Sequence, residues 1–133
     1  MTTDLWMLVW TCVLALVLPN LYVIGLVSQP HGFAWGLGNR DTPFTGTEAP
    51  WGGRGRRAHA NLVENLVVFA ALVLTAQVTG RADWWTALGS QLFFWGRLGH
   101  AVTYMAGLVP WRTAAFAVSV VGMWMIAVRL LFA

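Results

Sequence analysis

Four long apolar runs dominate this sequence and limit the structures that it can form. They span residues 5–27, 58–78, 84–109 and 111–132. Because a helix rises about 1.5 Å per residue, each run can cross the roughly 30 Å hydrocarbon core of a bilayer. Strands of an outer-membrane barrel would instead be about 10 residues long, with alternating polarity. The runs predict an all-α integral membrane protein, built as a bundle of four transmembrane helices.

The composition agrees with a membrane protein and argues against a nucleic-acid-binding domain. Charged residues make up 10% of the chain and hydrophobic residues 58%, whereas a soluble domain carries about 25% charged residues. Nine tryptophans are present, and Trp favours the membrane–water boundary. All eight basic residues are arginines scattered among apolar segments. We therefore expect membrane lipids, and no nucleic acid, as partners.

The runs predict one domain over residues 1–133. The predicted helices are at about 5–28, 57–79, 84–109 and 111–132. A polar loop, residues 29–56, is rich in Gly and Pro and separates the first two. Pro19 is expected to kink the first helix and Pro110 to end the third. Cys12, the single cysteine, is expected to be a small buried hydrophobic residue.

The distribution of arginines predicts the orientation of the bundle. One side of the membrane receives Arg40, Arg54, Arg56, Arg57 and Arg112, and the other Arg81 and Arg129. Positive residues stay cytoplasmic, so both termini should face away from the cytoplasm. Arg54 and Arg56 are interpreted as a membrane-surface patch. The absence of Lys and the abundance of Ala, Val and Gly indicate a GC-rich bacterial genome, and hence a bacterial inner membrane.

A polar stripe begins the second predicted helix. Arg57, Asn61 and Glu64 are spaced i, i+4, i+7, which places them on one face. An ionised Glu64 facing lipid would cost several kcal/mol. We therefore expect Glu64 to point into the bundle or a wet cavity, beside a cationic partner.

The third predicted helix repeats the pattern with Arg97 and Tyr104, and His100 lies at the edge of that stripe. Arg97 is near the middle of its run, where a lone charge is also costly. Glu64 and Arg97 could neutralise one another in a structural network that joins helices. Alternatively, a charged, peptide-like ligand could lie between them, with Arg binding its carboxylates and Glu its ammonium group.

The histidines do not form a recognisable metal site. The candidates are His59 and His100. His59 lies on a different face from Glu64, no cysteine is near in the sequence, and no HExxH spacing occurs. We predict no bound metal.

Three motifs resemble those of the MAPEG family, the membrane-associated proteins of eicosanoid and glutathione metabolism. The segment 57–65, RAHANLVEN, resembles the family signature, and 96–104, GRLGHAVTY, resembles its second motif. Pro110-Trp111-Arg112 resembles the third. The resemblance is detailed from about residue 54 to residue 116, and it extends to the whole chain in overall plan.

The resemblance implies a homotrimer that holds glutathione, as co-substrate, between neighbouring subunits near the cytoplasmic face. The implied glutathione-binding residues are Arg57, Asn61, Glu64, Arg97, His100 and Tyr104. Arg112 matches the arginine that stabilises the glutathione thiolate, and so would be the catalytic residue. A lipophilic small-molecule substrate would arrive from the lipid.

The sequence departs from the family at several positions. Phe116 stands where several members have Tyr, and Ala60 and Ala101 replace residues that are often polar in the prostaglandin-synthase branch. Two hypotheses stay open. The chain is a membrane-bound glutathione transferase or peroxidase acting on lipophilic electrophiles or hydroperoxides, or it is a non-catalytic membrane subunit or small-ligand-binding protein that keeps the fold.

Overall fold

A computed structural model describes residues 1–132 as helices joined by turns and loops, with no strand in that range. The helices are α1 (Thr3–Val27), α2 (Gly32–Leu37), α3 (Pro50–Val78), α4 (Trp84–Ala106) and α5 (Val109–Phe132). The prediction of an all-helical fold is confirmed.

The four long helices run alternately up and down. Gln77 Nε2 donates a hydrogen bond to Thr2 Oγ1 (2.8 Å), which joins the end of α3 to the start of α1. At the opposite end, Arg54 Nε donates to the carbonyl of Met105 (2.9 Å), joining the start of α3 to the end of α4. We call the end that holds α2 and residues 38–49 the loop end, and the end that holds both termini the terminal end.

Three of the helices, α1, α3 and α5, are long and apolar enough to cross a membrane. Their outer faces carry large apolar side chains, such as Leu16, Val67 and Trp124, as lipid-facing surfaces require. The helix α4 is long enough as well, but it carries Arg97 and His100 within its span. A fourth membrane crossing therefore stays a prediction.

The interior is built around aromatic and small side chains. Phe69 of α3 stacks on Phe93 of α4, with ring centroids 3.9 Å apart, and Val73 and Ile126 complete this buried cluster. In a membrane, helices associate through close van der Waals contact more than through hydrophobic burial. Tight packing is therefore the main stabilising interaction here.

The helices α4 and α5 pack closely along a face where small residues meet. A Cβ atom on Gly89 would lie 2.7 Å from the carbonyl oxygen of Gly122, and one on Gly96 would lie 2.8 Å from the backbone nitrogen of Ser119. Gly89 and Gly96 are seven residues apart and so share one face of α4. These residues let the two backbones approach to a distance that side chains would prevent.

The helix α3 begins at Pro50, about two turns before the predicted start near residue 57. Proline is well suited to the first helical position, because its missing N–H has no helical partner there. The glycines that follow weaken a helix in isolation. Here they are buried, and a Cβ atom on Gly25 of α1 would lie only 3.3 Å from the Cα of Gly52. Contact with α1 therefore overrides the low helix propensity.

The end of α4 also differs from the prediction. Gly107 ends the helix in the left-handed conformation (φ 79°), and the Leu108 N–H bonds the carbonyl of Thr103 (2.9 Å). This is a common glycine-based helix terminus. Pro110, which was expected to end the helix, lies instead in the first turn of α5.

The helix α1 is continuous through Pro19, and Asn20 Nδ2 donates to the carbonyl of Leu16 (2.8 Å). A bend at the proline stays a prediction. One expectation for α1 is not met. Cys12 is exposed on the outer face rather than buried. A small apolar thiol is compatible with either environment, so its residue type could not distinguish them.

Asp83 organises the terminal end. Its Oδ1 accepts hydrogen bonds from the backbone N–H groups of Trp85 (2.9 Å) and Thr86 (3.1 Å), which caps α4. Its Oδ2 accepts from Arg129 Nε at 2.6 Å. The hydrogen bond from Arg129 lowers the pKa of Asp83 most, and the helix cap lowers it further. The turn thus joins α4 to the end of α5.

The α4–α5 contact predicts different effects for two neighbouring glycines. Gly96→Ala should lower the free energy of unfolding by about 1–3 kcal/mol, because its Cβ would collide with backbone atoms. Gly99→Ala is the control, since its Cβ would lie 3.6 Å from the Ala115 Cβ, an ordinary contact. Unfolding monitored by circular dichroism in detergent measures both. Equal stability of the two variants would contradict close packing at Gly96.

Candidate functional site

A buried arginine lies near the centre of the polar residues at the loop-end half of the bundle. Arg97 of α4 is 1% exposed, and its Nη1 donates to Asn61 Oδ1 of α3 at 2.6 Å. The packing of α3 against α4 brings the two predicted stripes together. Arg97 therefore bonds a neutral amide, and the direct Glu64–Arg97 ion pair considered from the sequence is not formed.

The rest of the Arg97 guanidinium lacks hydrogen-bond acceptors. Nε and Nη2 are buried and have no partner within residues 1–132. The charge is instead flanked by two rings, with its Cζ 5.3 Å from the Phe93 centroid and 4.9 Å from that of Phe116. Such contacts stabilise a cation only partly. Unpaired buried donors of this kind call for an acceptor from water or a ligand.

Three other predicted residues, namely Arg57, His100 and Arg112, lie around the ring of Tyr104. The Cζ of Arg112, from α5, lies 4.6 Å from its ring centroid, and the Cζ of Arg57, from α3, lies 6.0 Å away. The His100 ring meets Tyr104 edge-on at 5.3 Å. One aromatic ring thus receives cations from two other helices.

His100 connects α4 to α5. Its Nδ1 lies 3.0 Å from the carbonyl oxygen of Arg112. A carbonyl only accepts, so Nδ1 must carry the proton, and Nε2 of the neutral ring is then an acceptor. Nε2 is buried without a partner in the part of the chain that the structure describes. This geometry fixes the backbone of Arg112 and leaves one acceptor available beside Tyr104.

Glu64 is the exception among the seven predicted residues. It is exposed on the outer face of α3, close to Val67 and Val68, which are also exposed. Within residues 1–132 it forms no ion pair or hydrogen bond. The structure therefore does not place Glu64 in the interior of the single chain, although Arg57 and Asn61 of the same stripe contact α4.

The site carries an excess of positive charge. The two ion pairs among residues 1–132 are Arg56–Glu48 and Arg129–Asp83. Neither involves the three site arginines, which are Arg57, Arg97 and Arg112. Two of these guanidinium groups meet at Tyr104 and the third lies between Phe93 and Phe116. No carboxylate within residues 1–132 bonds any of them, an arrangement suited to binding an anion.

Sequence reasoning missed two contributors. Arg54, interpreted as part of a membrane-surface patch, instead bonds the carbonyl of Met105 near the end of α4. Basic side chains favour helix C-termini, but nothing in the sequence showed which helix end Arg54 would reach. Phe116 was noted only as a departure from the family, and the structure places it against Arg97 and His100.

Comparison with known protein families shows the family to which this chain belongs. The model of the MAPEG family matches residues 5–132. The chain belongs to the MAPEG family. A comparison with curated proteins gave no match. The match covers nearly the whole MAPEG chain and all seven predicted site residues, so the resemblance inferred from three short motifs is confirmed.

Membership of the MAPEG family and three apolar helices of spanning length together identify an integral membrane protein. It belongs to a family associated with glutathione and eicosanoid metabolism. The roles of the seven residues stay predictions. In this MAPEG chain Arg97 bonds Asn61, and Tyr104 contacts Arg57, His100 and Arg112. Phe116, which lies against both Arg97 and His100, links these two groups.

The Arg97–Asn61 hydrogen bond predicts that substituting Asn61 lowers stability more than substituting the nearby Asn65. Asn61→Ala should lower the free energy of unfolding by roughly 3 kcal/mol, because it removes the acceptor of a buried cation. Asn65→Ala is the control, since Asn65 Nδ2 only donates to the Asn61 carbonyl within α3 (2.8 Å).

Adding Arg97→Met to Asn61→Ala should restore most of the lost stability, because the uncompensated charge is then gone. Thermal unfolding in one detergent measures these effects in five proteins: the unsubstituted chain, Asn61→Ala, Arg97→Met, the double variant and the Asn65→Ala control. Simple additivity of the two changes would show that the pair is not coupled.

Proposed function

We propose that this chain is a membrane-bound glutathione transferase or peroxidase that acts on lipophilic electrophiles or hydroperoxides. The observation that carries the proposal is that three arginines, Arg57 and Arg112 beside Tyr104 and Arg97 beside Asn61, have no carboxylate within residues 1–132 bonded to them. Glutathione has two carboxylates, one ammonium group and one thiol. It is therefore an anion whose groups suit this set of donors.

The residues suit different parts of that ligand. Arg57 and Arg97 are suited to its carboxylates, and the two unpaired nitrogens of Arg97 supply the donors that such a group needs. The available acceptor of His100 and the carboxylate of Glu64 are suited to N–H donors. We assign Glu64 to the ammonium group, reached across the boundary between neighbouring subunits.

Arg112 is the proposed catalytic residue. A free thiol has a pKa of about 8.5, so most of it is protonated at neutral pH, and a nearby guanidinium favours the thiolate. In the transferase reaction the thiolate forms a carbon–sulfur bond, and the leaving group departs with its electron pair. In the peroxidase reaction two glutathione molecules reduce one hydroperoxide to an alcohol and water, and they become a disulfide.

The proposed assembly is a homotrimer of subunits that each cross the membrane four times. A charged residue on an apolar outer face is costly in lipid. Coverage of Glu64 by a neighbouring copy removes that cost, and it places the carboxylate beside the neighbour's site. Lipophilic substrates would reach the same boundary through the bilayer, where they concentrate.

We place the loop end in the cytoplasm and both termini outside it, in a bacterial inner membrane. The loop end carries five arginines, namely Arg40, Arg54, Arg56, Arg57 and Arg112, whereas the terminal end carries Arg81 and Arg129. Positive residues are retained on the cytoplasmic side. Glutathione, which is made in the cytoplasm, would then have direct access to the site.

The assignment of Arg112 predicts a defect that depends on pH. Arg112→Ala should lower kcat/KM with a chloronitrobenzene by about 100-fold at neutral pH, the scale of losing one group that stabilises an anion. The loss should shrink as pH rises, because the thiol then ionises unaided. Arg81→Ala, which removes the same charge at the terminal end, is the control.

Enzyme rates and the ultraviolet absorbance of bound thiolate measure this effect. Protection by glutathione against heating, without turnover in the unsubstituted protein, would instead support the small-ligand-binding alternative. A protein that shows no protection by glutathione and no turnover would contradict both the enzyme and the ligand-binding hypotheses.

The proposed position of Glu64 predicts a defect in assembly. Glu64→Gln should raise the dissociation constant of the trimer at least about tenfold, because it removes one partner of a buried charged contact. Glu48→Gln is the control, since Glu48 pairs with Arg56 within its own chain (2.7 Å). Native mass spectrometry from detergent measures the oligomer, and unchanged assembly in Glu64→Gln would contradict this role.

A further inference from the structure

A cavity that the proposed reaction does not use lies between α1, α2 and the loop that follows α2. Its volume is about 450 Å³, which is within the range of small-molecule sites. None of the seven site residues lines it. It belongs to a single chain, so it does not depend on assembly into a trimer.

The position of α2 forms this cavity. Gly32 starts α2 directly against the backbone of α1, and a Cβ atom there would collide with the Leu26 carbonyl. From that contact, α2 extends over the last turns of α1, and Trp35 Nε1 donates to the Thr42 carbonyl (2.8 Å), which holds the following loop in place. The helix α2 and the loop after it therefore form an ordered side of the cavity.

The walls of the cavity are largely apolar. The α1 wall is formed by side chains such as Val23 and Leu26, and the α2 wall by side chains such as Phe33 and Leu37. Phe33 is 63% exposed and Leu37 75% exposed. They directly follow α1, a helix of membrane-spanning length, so we expect an apolar chain to enter the cavity from the bilayer.

The polar part of the cavity carries a net positive charge. Its charged residues are Arg40, Arg56 and Glu48, and Glu48 is paired with Arg56 (2.7 Å). Arg40 donates from Nε (3.2 Å) and Nη2 (2.9 Å) to the Gly36 carbonyl. It has no carboxylate partner within residues 1–132.

Arg40 is an exposed residue, but contacts with its own chain hold its guanidinium in place. Its Cζ lies 5.6 Å from the ring centroid of Trp35. The two hydrogen bonds to the Gly36 carbonyl leave its Nη1 group free to donate. A fixed cation at the edge of an apolar cavity matches a molecule with an apolar chain and an anionic head.

We propose that this cavity is a binding site for a single-chain lipid with a carboxylate head, of the fatty-acid class. The chain lies against α1 and α2, and the carboxylate bonds Arg40. The site is separate from the proposed glutathione site and does not rest on the proposed function. It gives the loop end a second ligand, drawn from the membrane.

The test uses the full chain in discs of neutral phosphatidylcholine, with parinaric acid, a naturally fluorescent fatty acid, as the probe. Saturable binding is expected. Arg40→Gln should weaken it roughly two- to fivefold, the upper part of the range for an exposed charged contact. Arg81→Gln, which removes an arginine at the terminal end, is the matched control and should bind as the unsubstituted protein does.

Two further arms separate the outcomes. Leu26→Trp, which fills the apolar wall, should reduce the number of bound probe molecules, and the methyl ester of the probe should bind more weakly than the acid. Equal binding of ester and acid, or no effect of Arg40→Gln, would overturn the carboxylate site. Competitive displacement of the probe by glutathione would also overturn it, because the probe would then occupy the thiol site. Preference for a lysophospholipid over the fatty acid would overturn the assigned ligand class.

Discussion

A positive charge enclosed in an apolar bundle is the constraint on which this structure depends. Arg97 is almost fully buried, and in residues 1–132 it has one hydrogen-bond acceptor, the side chain of Asn61. Removing a cation from water costs several kcal/mol unless partners compensate. The protein compensates only in part, through one amide and two aromatic rings. Arg97 Nε and Nη2 still lack acceptors within residues 1–132. An anionic ligand would supply them, so the residue that limits stability is also central to the proposed site.

Much of the fold and the composition of the site could be predicted, because both follow from periodicities that are local in sequence. Long apolar runs indicate membrane helices, and polar residues at helical spacing indicate which side chains share a face. That spacing put Asn61 and Arg97 on helix faces that meet in the structure, where the two side chains bond. It could not show that Asn61 rather than Glu64 would bond Arg97, because the rotation of α3 against α4 is set by contacts between helices.

The helix boundaries and the second cavity depend on contacts that have no local pattern. Residues 50–56 are rich in glycine and were expected to be a loop, but their packing on α1 makes them helical. The helix α2 is only six residues long and lies in a segment whose composition is typical of turns. Its position depends on Gly32 meeting α1, which one sequence cannot indicate. Predictions therefore failed where glycine serves close packing rather than flexibility.

The unequal ends of the bundle have a consequence for how the chain enters a membrane. At the terminal end, only the two chain ends and the turn between α3 and α4 lie outside the helices, and Asp83 of that turn is neutralised by Arg129. At the loop end lie α2, the long connection and most of the arginines. If the helices insert as two successive hairpins, α1 with α3 and α4 with α5, few polar groups have to be translocated. In the proposed orientation the arginine-rich segment stays in the cytoplasm, so it does not have to cross the membrane during biogenesis.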